Sequence, residues 1–261
     1  MKKMMYTDVD GTLMDFHTYS MEKSMEGIEL LKKNGIPLVL VSSKTYDEMK
    51  EIMELAGIYN HFAFENGCGI AIPDGTGGYK TEISGPGTAA LAQRLTEVED
   101  LAERKLISIL DMTESQISSY SGLDMRRSAL AKKRIATLPF ITDSGILLDD
   151  YELDMINLKL AGRGIQVTRG GRFNHLLPSR AGKASAVRKI YTWYSTEGGV
   201  KTGACGDSYN DLAMLDNVDV GYIVRKPDGS YMEGTDFLVT AGIGPEGFTE
   251  AVKDFIKLFP D

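Results

Sequence analysis

The stretch YTDVDGTL at residues 6–13 decides the fold expected for this chain of 261 residues. The apolar run at residues 4–6 predicts a buried strand, and Asp8 and Asp10 follow at its end, just before Gly11. Two carboxylates about 4 Å apart repel each other by ~1 kcal/mol in water and by ~4 kcal/mol at an effective dielectric of about 20. The pair therefore indicates a site where a bound cation neutralises this repulsion.

Strand and helix patterns alternate on either side of this stretch. Apolar residues recur at helical spacing over 21–34, a β-branched strand is predicted over 36–41, and a second helix ends at Gly57. Near the other end the alternation returns in a helix from 183, a strand at 200–205, a short helix from 208, strands near 219–224 and 236–240, and a final helix. This order predicts a parallel sheet with helices on both faces.

The middle of the chain has a different pattern. It predicts a charged helix at 89–104, short strands at 106–110 and 155–160, an Arg/Lys-rich helix around 125–134, and a strand leading into RGGRF. We therefore predict an α/β fold, in which residues 1–84 and 180–261 form a Rossmann-like parallel-sheet core. Residues 85–179 are predicted to form an inserted α+β cap domain.

Charge and composition exclude several classes of function. The formal net charge is −8 at pH 7 without a basic stripe, which argues against broad binding to nucleic acid or anionic membranes. The apolar run IPLVLV at 36–41 is far shorter than the ~20 residues of a membrane helix, and Asp8 precedes any signal-peptide core, so we expect a cytoplasmic protein. Its oligomeric state is left open between a monomer and a homodimer.

Polar side chains follow four of the predicted strands, and parallel strands end at one edge of a sheet. These groups are Asp8 with Asp10, Ser42 with Ser43 and Lys44, Glu65-Asn66-Gly67, and Gly206-Asp207 with Asn210 and Asp211. Carboxylate oxygens favour Mg²⁺, which usually shares its shell with a substrate phosphate. We therefore predict phosphoryl transfer, with Asp8 as the nucleophile that forms an aspartyl phosphate and Asp10 as the general acid and base.

Four motifs in this order resemble the signature motifs of the haloacid dehalogenase superfamily of phosphatases. They are DxDGTL at 8–13, a Ser after the second strand, a Lys that opens a late helix, and GDSxND at 206–211. Other stretches resemble more narrowly the mannosyl-3-phosphoglycerate phosphatases, a branch with a cap inserted between the second and third motifs. These stretches include DFHTYS at 15–20, SSKT at 42–45, ENG at 65–67, VRKPDG at 224–229 and GPEG at 244–247.

The resemblance implies a role for each matched residue. Ser42 would hydrogen-bond the transferring phosphoryl group, and Lys183 would balance its charge and orient Asp8. Asp10 would also offer its backbone carbonyl to the metal, and Asp211 has a plainer interpretation as a charge at a helix N-terminus. The predicted ligands of Mg²⁺ are Asp8, Asp10, Asp207, Asp211 and Ser208.

The predicted substrate-binding residues come from the sheet edge and from the cap. They are Ser43, Lys44, Asn66, Arg169, Gly170, Gly171, Arg172 and Asn210. The two arginines flank a flexible glycine pair and suit a carboxylate or a sugar phosphate, although a solvated turn has the same composition. Ser43 and Lys44 also fit an ordinary helix start, and Asn66 fits a hairpin turn.

Three other features receive weaker interpretations. His175 is a lesser candidate for the substrate site, and Tyr19 is expected in the core. His17 and His61 are expected to be surface or packing residues. The basic run at 126–134 is interpreted mainly as a solvated helix face, from which one side chain can reach the cleft if the cap closes.

We therefore predict a Mg²⁺-dependent phosphomonoesterase whose partner is an anionic, phosphorylated small molecule. The resemblance implies 2-O-mannosyl-3-phosphoglycerate as the substrate and mannosylglycerate, a compatible solute, as the product. Three alternatives stay open. One is a related capped phosphatase for phosphoglycolate or another sugar phosphate, another is a phosphomutase, and the third is a catalytically silent binding protein on the same scaffold.

Overall fold

The computed structural model describes residues 2–195 and 199–260. Its strands are β1 (Lys2–Thr7), β2 (Leu38–Val41), β3 (Phe62–Phe64), β4 (Gly69–Pro73), β5 (Tyr79–Ile83), β6 (Leu106–Ser108), β7 (Leu138–Thr142), β8 (Ile165–Arg169), β9 (Asn174–Pro178), β10 (Val200–Gly206), β11 (Val220–Arg225) and β12 (Leu238–Ile243). Its α-helices are α1 (Met25–Lys33), α2 (Tyr46–Leu55), α3 (Thr88–Ala92), α4 (Leu95–Ala102), α5 (Glu114–Ser121), α6 (Met125–Ala131), α7 (Asp150–Leu160), α8 (Lys183–Tyr194), α9 (Leu212–Leu215) and α10 (Pro245–Leu258). None of these helices has both the length and the apolar character needed to cross a membrane.

The larger sheet has eight strands in the order β12-β11-β10-β1-β2-β3-β4-β5. The six strands from β12 to β3 are parallel, and β4 and β5 extend the edge as antiparallel strands. Side chains of β1 alternate between two buried clusters, because successive residues of a strand point to opposite faces. Met5 packs with residues of α1, α2 and α10, whereas Met4 and Tyr6 pack with residues of α8 and α9. The predicted α/β fold with a mainly parallel sheet is thus confirmed.

A second sheet lies between β5 and β10 in the sequence. Its four strands are antiparallel and have the order β6-β7-β9-β8. Leu138 and Phe140 on one face of this cap sheet pack against residues of α3, α4 and α7. Ile141 on the other face packs against α5. The predicted domain limits at residues 85 and 179 stay a prediction.

Helix α7 corrects one prediction, because the strand predicted at 155–160 is wrong. Asp149 caps this helix, accepting a hydrogen bond from the backbone N–H of Glu152 at 2.8 Å and donating one to the Glu152 carboxylate at 2.8 Å. Leu153, Ile156 and Leu160 then recur at helical spacing and are buried. The sequence INLKL within this segment also alternates apolar and polar residues, and this local alternation imitates a strand.

The side chain of Glu65, which follows β3, binds the backbone just before β7 of the cap sheet. Glu65 has a φ of 49°, in the left-handed region, and its side chain is buried. Its oxygens accept hydrogen bonds from the backbone N–H groups of Ile135, Ala136 and Thr137 at 2.8, 3.0 and 2.6 Å, and from the Thr137 hydroxyl at 2.9 Å. The start of β7 is therefore fixed at the edge of the larger sheet where the predicted site residues lie.

Candidate active site

Neighbouring strands bring the predicted catalytic residues together. Asp8 follows β1, Ser42 follows β2, and Asp207 follows β10. Because β1 lies between β2 and β10 and all three are parallel, their carboxyl ends meet at one edge of the sheet. The backbone N–H of Asp8 donates to the carbonyl of Cys205 at 2.9 Å, which holds the turn after β1 against the end of β10.

Lys183 opens α8 and places its ammonium group among the carboxylates. Its Nζ lies 2.5 Å from Asp8 Oδ1 and 2.6 Å from Asp211 Oδ1. Carboxylate oxygens of Asp8, Asp207 and Asp211 lie within 4.8 Å of one another, and all three residues are buried. We call these four residues the floor of the site. The floor holds three carboxylates and one ammonium group, so negative charge is in excess.

Burial shifts the protonation equilibria of the floor. It raises the pKa of Asp8 well above its usual range; Lys183 opposes this rise, and Asp211 and Asp207 add to it. It also raises the pKa of Asp207 to about 6, with a further contribution from Asp211. Burial alone would lower the pKa of Lys183, but Asp211 and Asp8 outweigh it, so this pKa is raised and the ammonium group stays charged.

The floor fits a hard divalent cation. Its donors are carboxylate oxygens, which suit Mg²⁺, and two positive charges would balance its excess of negative charge. Asp8 and Asp207 line the open space above the floor. Asp211 is already engaged, because its Oδ1 binds Lys183 and its Oδ2 accepts hydrogen bonds from the backbone N–H groups of Asp207 and Ser208, both at 3.2 Å. Asp8 and Asp207 are therefore the carboxylates best placed to bind the ion.

The loop after β10 is held by its own side chains. The Ser208 hydroxyl lies 2.7 Å from Asn210 Oδ1 and 3.3 Å from Asp211 Oδ2. Asp211 is fully buried at the start of α9, so it is a charge at a helix N-terminus, as the plainer interpretation has it, and it also binds Lys183. Gly11 has a φ of 77°, and a Cβ there would lie 2.7 Å from Asp207 Oδ2. A glycine at this position therefore leaves room for the Asp207 carboxylate.

Asp10 lies beside the floor and pairs with Lys44. The Lys44 Nζ lies 2.9 Å from Asp10 Oδ2, while Asp10 Oδ1 is buried and has no hydrogen-bond partner among the described residues. Burial alone would lower the pKa of Lys44, but Asp10 and Glu48 outweigh it and raise this pKa. A charged Lys44 thus holds Asp10 in place through Oδ2.

Ser43 and Lys44 follow β2 but do not form the start of α2. Thr45 caps α2 in a capping box with Glu48, so Ser43 is not the cap, and Lys44 is buried instead of solvated. Ser42 is also buried, and its hydroxyl accepts a hydrogen bond from the backbone N–H of Lys44 at 3.3 Å. Ser43 and Lys44 both line the open space above the floor.

Asn66 holds the backbone of Ser42 in place. Its φ is 60°, and its backbone N–H donates to the carbonyl of Ser42 at 2.8 Å. Its side-chain Nδ2 is buried without a partner in the described part of the chain, and Asn66 does not line the open space above the floor. Its predicted contact with substrate stays a prediction.

A cavity of about 570 Å³ separates the floor from the cap, a volume typical of sites for small molecules. The cap side of this cavity carries Arg134, Arg172 and His175, which we call the roof. Neither arginine forms an ion pair within residues 2–195 and 199–260, and the same holds for Lys226, which lines the cavity from the core. The cavity therefore offers three unpaired cations in a chain whose net charge is −8.

Tyr19, which the sequence placed in the core, also lines this cavity. Its hydroxyl accepts a hydrogen bond from Arg172 Nη1 at 2.7 Å. The Arg127 guanidinium and the Lys44 ammonium lie 4.7 and 5.5 Å from the centre of its ring, within the range of cation–π contacts. Sequence analysis also missed Lys226, although it follows β11 directly. Its place at the end of a parallel strand was the signal that could have found it.

The residues of the RGGR turn at 169–172 lie in two different environments. Arg172 and Gly171 line the cavity. Arg169 lies outside it and pairs with Asp150, with Nη2 2.7 Å from Oδ1. Gly170 packs closely against the ring of His175. The predicted substrate contact of Arg169 stays a prediction, and it requires that the pair with Asp150 opens.

Comparisons with known proteins identify the family to which this chain belongs. The sequence profile of the haloacid dehalogenase-like hydrolases matches residues 5–237. A glucosyl-3-phosphoglycerate/mannosyl-3-phosphoglycerate phosphatase of Methanococcoides burtonii is 33% identical over 98% of both chains, and one of Persephonella marina is 32% identical over 87% of both. The solved structure of a phosphatase of the haloalkanoate superfamily from Bacteroides thetaiotaomicron has a similar fold, with a TM-score of 0.71 at 22% identity, over 98% of this chain and 95% of that one.

Proposed function

Because the chain belongs to the haloacid dehalogenase-like hydrolase family, we propose that it is a Mg²⁺-dependent phosphomonoesterase acting on mannosyl-3-phosphoglycerate. The predicted family and the predicted class of phosphoric monoester hydrolase are confirmed by the family match and the relatives' names. The substrate is inferred from those names, which also include the glucosyl compound. The observation that carries the mechanism is the ammonium of Lys183, held 2.5 Å from Asp8 and 2.6 Å from Asp211 beneath a cavity lined by cations.

In the first step, a carboxylate oxygen of Asp8 attacks phosphorus, and the bond between phosphorus and the ester oxygen breaks. Lys183 favours the ionised form of Asp8 and offsets the negative charge of the incoming phosphate. Asp10, which lines the cavity and is held by Lys44, gives a proton to the departing alkoxide. The products of this step are an aspartyl phosphate on Asp8 and the free alcohol.

In the second step, Asp10 takes a proton from a water molecule whose oxygen attacks phosphorus. The bond between phosphorus and Asp8 breaks, which releases inorganic phosphate and restores both aspartates. The cap sheet covers the cavity and limits the access of other water. When bound by Asp8 and Asp207, with Asp10 and Ser208 as further predicted ligands, Mg²⁺ would neutralise the floor and polarise the phosphoryl group.

The cations around the cavity suit a substrate with a second negative group. Mannosyl-3-phosphoglycerate carries a carboxylate in addition to its phosphate. Arg172 presents a guanidinium to the cavity and forms no ion pair with the described residues, so it is the proposed partner of that carboxylate. Lys226 and Arg134 add positive charge on other walls of the same space.

A phosphoester panel tests this assignment. Release of inorganic phosphate from mannosyl-3-phosphoglycerate, glucosyl-3-phosphoglycerate, 3-phosphoglycerate and phosphoglycolate is measured under steady-state conditions with Mg²⁺. We expect the highest kcat/KM for the mannosyl or glucosyl compound. A comparable kcat/KM for phosphoglycolate would overturn the substrate assignment. Retention of labelled phosphate on an isomeric product would indicate the phosphomutase alternative.

A further inference from the structure

His175 occupies the roof of the cavity but is not used by the chemistry described above. It lies on β9, lines the cavity, and has an exposed fraction of only 5%. Its neighbour Leu176 packs into the opposite face of the cap sheet with Val167 and Leu138. Because side chains alternate along a strand, His175 is directed to the face that covers the site.

The imidazole ring has unused hydrogen-bonding capacity. Its Nδ1 is buried and has no partner among the described residues, and the ring forms no hydrogen bond with them. A buried polar atom without a partner is rare in folded proteins and calls for an explanation. Nδ1 itself is enclosed, but the ring lines a ligand-sized cavity, and its other nitrogen, Nε2, also forms no hydrogen bond with the described residues. A molecule bound in the cavity can therefore provide a partner for Nε2.

The surrounding backbone keeps space for this ring. A Cβ on Gly170 would lie 2.8 Å from His175 Nε2 and 3.1 Å from its Cδ2. A side chain at residue 170 would therefore displace the imidazole from its position. This close approach gives a steric role to one glycine of the RGGR turn, where the sequence had indicated only flexibility.

The ring is electrically neutral in this position. Burial lowers the pKa of His175 to about 3, and the positive charges of Arg134 and Lys183 contribute to the shift. A neutral imidazole has one donor and one acceptor, and a hydroxyl group can satisfy either of them. Arg134, Arg172 and Lys226, which line the same cavity and form no ion pairs with the described residues, are stronger partners for the anionic groups of a substrate.

We propose that His175 is a specificity-determining residue that hydrogen-bonds a sugar hydroxyl of the leaving group. This inference rests on the proposed function, because it names the part of the glycosylated substrate that the roof recognises. It follows that the residue favours glycosylated over plain phosphoglycerate without taking part in the transfer of phosphate.

The test compares two substrates that differ only in the sugar. The kcat/KM values for mannosyl-3-phosphoglycerate and 3-phosphoglycerate are measured for the original protein, His175→Leu and His175→Gln. We expect His175→Leu to lower the ratio of the two values by about 30-fold, mainly through the mannosyl compound, because one hydrogen bond to a hydroxyl is lost. The amide of His175→Gln should restore a large part of the ratio. His61→Leu is the matched control, since His61 lies outside the cavity beside Trp193 and Tyr194.

Two further measurements separate the possible outcomes. The thermal midpoint and the activity on 3-phosphoglycerate show whether each variant is folded and able to transfer phosphate. An unchanged ratio in a folded His175→Leu variant, or an equal loss on both substrates, would overturn the role of His175. If the original protein hydrolyses 3-phosphoglycerate but neither glycosylated compound, the proposed substrate itself is wrong and this role is wrong with it.

Discussion

The floor and the roof of the cavity differ in how completely their polar groups are satisfied. On the floor, Lys183 binds two carboxylates, and Asp211 also accepts hydrogen bonds from the loop after β10. On the roof, Arg134 donates to the carbonyls of Ala131 and Ser43, but Arg172 holds a single hydroxyl of Tyr19, and the ring of His175 binds none of the described residues. A network whose members bind each other holds a fixed geometry, as chemistry requires, whereas groups with free capacity bind ligands. The difference indicates that the core performs the reaction and the cap selects the substrate.

The largest effect expected from the contrast between floor and roof is the loss of activity when the nucleophile, Asp8, is replaced. Asp8→Asn should lower kcat by about 10⁴-fold or more, because an amide does not attack phosphorus. Phosphate release measures the loss, and mass spectrometry of acid-quenched protein should find no phosphorylated Asp8. The matched control is Asp100→Asn on the exposed surface of α4, which should keep full activity. Turnover of Asp8→Asn near that of the control would refute the covalent mechanism.

Removal of metal should have the next largest effect, and it acts on the floor alone. Protein treated with a chelator and then dialysed should lose about 10³-fold in activity, because the excess negative charge near Asp8 then repels phosphate. Added Mg²⁺ should restore the activity and raise the thermal midpoint. Undiminished hydrolysis by metal-free protein, verified by elemental analysis, would show that the floor works without a divalent ion.

Lys44 provides a third test of the contrast between floor and roof, because its ammonium group contacts both Asp10 and the ring of Tyr19. Lys44→Met should lower kcat by about 10²-fold on an alkyl phosphoester, since Asp10 loses the partner of its Oδ2. The loss should be much smaller on p-nitrophenyl phosphate, whose leaving group needs little protonation. Lys44→Arg keeps the positive charge and should keep most of the activity. Equal losses on both esters would mean that Lys44 does not act through Asp10.

The smallest of these effects is expected on the roof. Arg172→Met should raise KM for mannosyl-3-phosphoglycerate by about 10-fold with little change in kcat, because a charge-assisted hydrogen bond to the carboxylate is lost. Arg163→Met, at an arginine that pairs with Glu97 on the surface, is the control. Arg169→Met should leave KM unchanged if its pair with Asp150 persists. A fall in kcat for Arg172→Met as large as that for Lys44→Met would contradict the division of labour.

The floor was predictable from sequence because its residues belong to short motifs at strand and helix ends. DxDGTL and GDSxND each combine charges with a turn, and the rule for the ends of parallel strands joins them without knowledge of packing. The family, the fold class and the enzyme class are confirmed on this basis. The roles of the individual residues stay predictions until the variants above are measured.

The roof was less predictable, because spacing does not show where a long side chain points. Arg169 and Arg172 flank the same glycine pair, yet one pairs with Asp150 outside the cavity and the other crosses to Tyr19. Tyr19 packs against the core, as expected, but its place beside Lys44 and Arg127 in the cavity wall was not predicted. The strand predicted at 155–160 failed for a similar reason, since the burial of α7 depends on which face meets the cap sheet.

The hydrogen bonds between the cap and the core are distributed unevenly around the cavity. Lifting the cap at Glu65 would break four hydrogen bonds to one buried carboxylate, whereas separating the cap from the Tyr19 loop breaks one, from Arg172. Further bonds join α6 and the residues after it to the core, because Arg126 pairs with Glu51, Lys133 pairs with Asp47, and Arg134 donates to the carbonyl of Ser43. We therefore expect the gap to widen most easily at Arg172. Substrate would then arrive, and both products depart, past the same guanidinium that is proposed to bind the carboxylate.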